Sequence, residues 1–123
     1  MNFVRFDDER NGAVIGRHIA CAHTAASRLV GLLKHDSLAS GAGIWIRPSF
    51  GVHTFGMRFT IDAVGLDEQL RVLKLWRQLR PRRVTGIHLR VKSVLELAAG
   101  EIARLDICLG DQLNVREELP QRL

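Results

Sequence analysis

Short apolar segments divided by turn signals set the outer limits on this fold. Asn11-Gly12 interrupts one apolar run. "SGAG" (40–43), Pro48, "GLDEQ" (65–69), Pro81, "AAG" (98–100) and "LGD" (109–111) interrupt the rest. Runs of strand length between such breakers predict a mainly β, mainly antiparallel domain, with one or two short helices. A compact sandwich or a barrel-like sheet is the architecture that buries such strands. At 123 residues the chain makes a single domain, 1–123. That size buries a core without disulfide or metal staples.

Taken in order, "FVRFDD" and "AVIGRHIA" flank Asn11-Gly12 and read as a hairpin. Thr24 caps a short helix over 24–35, where Ala25, Ala26, Leu29, Leu32 and Leu33 share a face. "IWIRP", "FTIDAVGLD" and "SVLELAAG" read as strands. "GEIARLDI" makes a helical turn, and "LGDQLNVRE" leads into a last strand. Residues 70–80 are ambiguous. Val72, Leu73, Leu75, Trp76 and Leu79 stand at helical spacing, yet β-branched and aromatic content and flanking turns also permit a strand. Pro81 ends either one.

The net charge of +5 is local. Residues 71–92 hold eight Lys or Arg and no acid, whereas the remainder holds ten basic and thirteen acidic residues. Such a segment attracts an anionic partner, with Arg77, Arg80, Arg82 and Arg83 as its contacts; it serves equally as a solvated face that keeps an edge strand from pairing. Trp76 is the one aromatic in it, and the chain has no tyrosine. Nucleic-acid binding is therefore expected to be weak and non-specific at most. The N-terminal run lacks an apolar core for a secretory signal, and no apolar run approaches the ~18 residues of a membrane span. These features predict a cytoplasmic protein with no membrane partner. Cys21 and Cys108 are expected to be reduced thiols.

Chemistry concentrates in "SFGVHTFGMRFTIDAVGLD" (49–67). His53 can donate, accept or titrate near neutral pH. Arg58 and Asp62 could form a charge-assisted pair, and Met57 could lie over a pocket. Glu96 stands in an otherwise apolar strand and needs a partner there, with Arg58 as the candidate. The bland alternative makes Phe55, Met57, Phe59 and Ile61 core, with His53 and Asp62 satisfying backbone groups. The histidine spacing fits no metal site, and no nucleophile elbow, P-loop or dinucleotide fingerprint is present. No catalytic residue, metal or cofactor is assigned.

Three separated pieces share one further pattern: "RLVGLLKHDSLASGAGIWIRP", "VHTFGMRFTIDAVGLD" and "VLELAAGEIARLDICLGDQL". In that order they resemble the family called Domain of Unknown Function 192. The matching positions are His53, Thr54, Phe55, Met57, Arg58, Asp62, Glu96, Gly100, Gly110 and Asp111. The resemblance implies a β-rich sandwich or barrel and a strand at 70–77, and it implies no activity. Thr60 and Gly65 depart from the pattern, which predicts a slightly looser loop and strand.

Three functional readings follow. The first is a binding domain for a small polar or anionic ligand, or a protein loop, at His53, Thr54, Met57, Arg58, Asp62 and Glu96. The second is a hydrolase using His53 with Asp62 or Glu96. The third is an interaction module using residues 71–92. The partner, small molecule or protein, and the oligomeric state stay open at this point.

Overall fold

The computed structural model of the chain describes residues 2–23, 38–54 and 57–117. The helix expected over 24–35, and Phe55 and Gly56, lie outside the described residues.

Strands β1 (Phe3–Asp8) and β2 (Val14–Ala22) form the expected hairpin around Asn11-Gly12. β3 (Ala42–Ile46) pairs parallel to β2, and β6 (Ser93–Ala98) runs antiparallel between β3 and β4 (Ile61–Leu66). β5 (Val72–Leu79) lies outside β4, and β7 (Leu113–Glu117) lies outside β1. One seven-stranded sheet results, ordered β5-β4-β6-β3-β2-β1-β7. It is a single curled half-barrel, so the two-sheet sandwich alternative does not apply. Its two edges meet at one end, where Val72 N donates to Asp111 O (2.9 Å) and Gly110 N to Val72 O (2.8 Å). A short helix, α1 (Glu101–Arg104), follows β6.

Residues 72–79 are strand, and their helical spacing has a specific cause. The β4–β5 register shifts twice, between Ile61 and Ala63 and between Gly65 and Leu66. Each bulge inserts an extra residue on β5 and inverts the alternation of its side chains. Leu73, Trp76 and Leu79 thus reach one face at intervals of three, while Val72 and Leu75 reach the other. Two bulges imitate a helical period.

Both faces of the sheet carry a core. Phe6, Ile19, Leu95 and Leu97 pack on one face beneath Ile102 and Ile107. Ile44, Ile61, Ala63 and Val94 pack on the other beneath Val52, Met57 and Val91. The cover on this second face is a flap in which residues 49–54 run beside 83–92. Its bonds are Thr54 N to Arg83 O (2.8 Å), Thr85 N to Val52 O (2.9 Å), His88 N to Phe50 O (3.1 Å) and Ser49 N to Lys92 O (2.9 Å). The two segments approach so closely that a Cβ on Gly51 would stand 2.9 Å from Gly86 O.

Candidate functional site

Thr54 organises the flap. It is fully buried, and its hydroxyl accepts from Arg83 N at 2.7 Å while donating to Arg80 O at 2.6 Å. Its backbone adds bonds to Arg83 O (2.8 Å) and from Arg82 N and Met57 N (both 3.2 Å). The turn at 80–83, in which Arg82 takes φ 63°, is therefore fastened to the segment that holds His53 and Arg58. Arg58, Arg80, Arg82 and Arg83 are all exposed, whereas His53 is half-buried in a bridge to Val84. Two groups of residues expected as separate sites are adjacent in the fold.

Arg77 does not join them. It lines a cleft of about 530 Å³ between β5 and residues 102–109, with Lys74, Ile102 and Asp106. A second cleft, of about 490 Å³, lies between β5 and the flap and is walled by Trp76, Leu79, Val84 and Ile87.

Asp62 and Glu96 point to opposite faces of the sheet. Glu96 is paired in register with Ile44 and Ala63, whose side chains belong to the flap-side core, and it is fully buried there. Asp62 alternates with Ala63 and faces α1. Its Oδ1 accepts Gln78 N (2.8 Å) in the β5 bulge, and its Oδ2 accepts Ile102 N (2.9 Å) in the first turn of α1. Gly100 at the N-cap supplies no side-chain acceptor, so Asp62 caps the helix from a neighbouring strand. The expected convergence of Arg58, Asp62 and Glu96 is thus divided by the sheet. Met57 lies in the flap-side core.

A second polar centre was not anticipated from the sequence. Arg10, at the β1–β2 hairpin tip, donates through Nε to Asp111 Oδ1 (2.7 Å) and through Nη2 to Asp111 Oδ2 (3.3 Å). Cys108 N also donates to Asp111 Oδ2 (2.9 Å), and Arg10 N donates to Asp8 Oδ1 (3.0 Å). Asp8 is fully buried against Asp111. Burial first, then the hydrogen bond to Asp111, pushes Asp8 up to about 6. Burial acts on Asp111 in the same direction, but bonds from Arg10 and Asp8 outweigh it and hold Asp111 at about 2. Asp8 and Asp111 stand 103 positions apart, so no local spacing announces the pair. The Gly110-Asp111 signature was the one available signal.

Cys21 and Cys108 are free thiols. Burial pushes both up from the ordinary thiol value, despite Arg47 near Cys21 and Arg10 near Cys108. Neither is a ready thiolate nucleophile near neutral pH. Among the described residues no group of three or more His, Cys, Asp or Glu could hold a metal ion. No helix among them is long and apolar enough to cross a membrane.

Comparison with known proteins agrees with the fold. A protein of unknown function from Novosphingobium aromaticivorans matches with TM-score 0.75 and 20% identity, over 91% of this chain and 83% of that one. A protein from Sinorhizobium meliloti, described as a proposed transcription regulator, matches with TM-score 0.74 and 20% identity, over 93% and 92% of the two chains. At that identity the likeness shows the fold alone. No curated protein matches. The family model DUF192, described as an uncharacterized ACR, matches residues 7–115. That match spans most of the chain, which belongs to the DUF192 family.

Proposed function

We propose that the protein is a binding module for an anionic partner, and that the 80–83 turn is its recognition surface, flanked by His53 and Arg58. One observation carries this reading: Thr54 fixes the turn with buried hydrogen bonds while Arg80, Arg82 and Arg83 stay exposed. No acid lies between Glu68 and Glu96 in the sequence to neutralise them locally. A rigid backbone presenting several guanidinium groups lowers the ordering cost of binding carboxylate, phosphate or sulfate.

The two other readings have less support. A ligand site that includes Thr54 and Asp62 would need their oxygens, which already serve backbone groups. Hydrolysis by His53 loses Asp62 as acid–base partner for the same reason and keeps only Glu96 on the flap side.

Heparin serves as a soluble polyanion probe. Arg82→Gln/Arg83→Gln and Arg17→Gln/Arg116→Gln each lower the net charge of +5 by two, the second pair from β2 and β7. The reading predicts weaker heparin binding for the first pair, with the salt slope lowered by about 2, and near wild-type binding for the second. Equal losses would mean that net charge alone is read, and would overturn it.

A further inference from the structure

The flap is apolar as well as cationic. Among the described residues five large apolar side chains are exposed, and four of them sit on it: Phe50, Val84 (67%), Ile87 (77%) and Leu89 (78%). They adjoin one another. Ile87 and Leu89 flank His88, whose N–H bonds Phe50 O. Lys92 Nζ stands 5.4 Å from the Phe50 ring centroid and donates to Leu89 O at 3.2 Å. Exposed Arg83 and Arg90 adjoin Val84 and Leu89 in the chain, with exposed Arg82 and Lys92 close beyond them. Such gatherings of exposed apolar side chains on a soluble domain mark contact sites.

We propose that the flap docks on an anionic lipid surface, with Ile87 and Leu89 entering the interface while the neighbouring Arg and Lys side chains meet lipid phosphates. This inference rests on the anion-binding reading and names the source of the anion. Expecting no membrane partner followed from the lack of a spanning segment, but lying on a bilayer needs only an apolar tip with a cationic collar. Two features favour a bilayer over an acidic protein. β5, the nearest strand to which a partner chain could pair, is blunted by two bulges and by exposed Lys74 and Arg77. The most exposed apolar side chains also project outward, and a fluid surface accepts them without a shape-matched pocket.

The test uses the full chain with phosphatidylcholine vesicles, with and without phosphatidylglycerol, in parallel with heparin and soluble polyglutamate. Wild type should sediment with the phosphatidylglycerol vesicles only, and the bound fraction should fall as salt rises. Trp76, beside Val84 and Ile87 in the cleft, should shift its emission to the blue on binding. Ile87→Ser/Leu89→Ser leaves the charge and the core intact. It should lower vesicle affinity by at least about tenfold without changing heparin binding. Wild-type vesicle affinity in that variant would overturn the inference. Binding to heparin or polyglutamate without vesicle binding would also overturn it, while leaving the anion-binding reading in place. Binding to none of the probes would overturn both.

Discussion

The Arg83 amide donates to the buried Thr54 hydroxyl at 2.7 Å, which ties the arginine turn to the segment carrying the family signature. Asp62 and Asp111 act in the same manner. Asp62 receives amides from Gln78 and Ile102, and Asp111 receives the Cys108 amide together with Arg10. Thr54, Asp62 and Asp111 of the signature therefore join segments of this chain to one another. Arg80, Arg82 and Arg83, exposed on the turn that Thr54 fastens, lie outside the motif.

Asp62→Asn tests that architectural role. An amide side chain can accept one of the two backbone N–H groups, but it presents its own donor to the other. The variant should lose about 1–3 kcal/mol, read as a lower urea midpoint at unchanged slope. A wild-type midpoint would show that the carboxylate is not needed for the fold.

The Asp8–Asp111 pair sets a pH dependence with a defined sign. Asp8 has a folded value of about 6 against an ordinary 3.8, so the folded chain holds its proton more tightly. Its contribution is complete below about 3.8 and is lost as pH rises through about 6. Asp111 runs the opposite way: its contribution is present above 3.8 and is lost as pH falls through about 2. From pH 8 to pH 5, Asp8 should add stability on the order of 1 kcal/mol. Asp8→Asn removes that increment. The wild-type minus variant difference in Tm should therefore become more positive on acidification across this window. A flat difference would contradict the assignment.

Gly65 gives a packing test. A Cβ there would meet Val91 Cγ2 at 3.0 Å and both Lys74 Cβ and Trp76 Cζ3 at 3.1 Å. Gly65 thus makes room for close packing of Val91 and Trp76, where a looser strand was expected. Gly65→Ala should lower stability by about 1 kcal/mol or more, although alanine loses less conformational freedom than glycine on folding. A rise in Tm would show that the neighbours yield.

Where neighbours in sequence decide the structure, the chain was readable. Asn11-Gly12 announced the first hairpin, and the turn signals delimited β3, β4, β6 and β7. β5 was harder, because its bulges destroyed the period of two that a regular strand shows. The candidate site was legible in parts. His53, Arg58, Arg80, Arg82 and Arg83 stand out in the sequence, but their adjacency depends on Thr54 bonding residues 26 and 29 positions away. The division of Asp62 from Glu96 was hidden for a similar reason. Each strand shows its own alternation, and which faces coincide depends on pairing with β6.

Native-state hydrogen exchange on the wild type and Thr54→Val decides whether Thr54 holds the arginine turn. Valine keeps the shape and removes every hydrogen bond of the hydroxyl. In the variant the Arg82, Arg83 and Thr85 amides should lose protection together, while amides of β3 and β6 keep theirs. Unchanged protection at Arg83, or an equal loss throughout the sheet, would contradict the view that Thr54 fastens the arginine turn as a distinct unit.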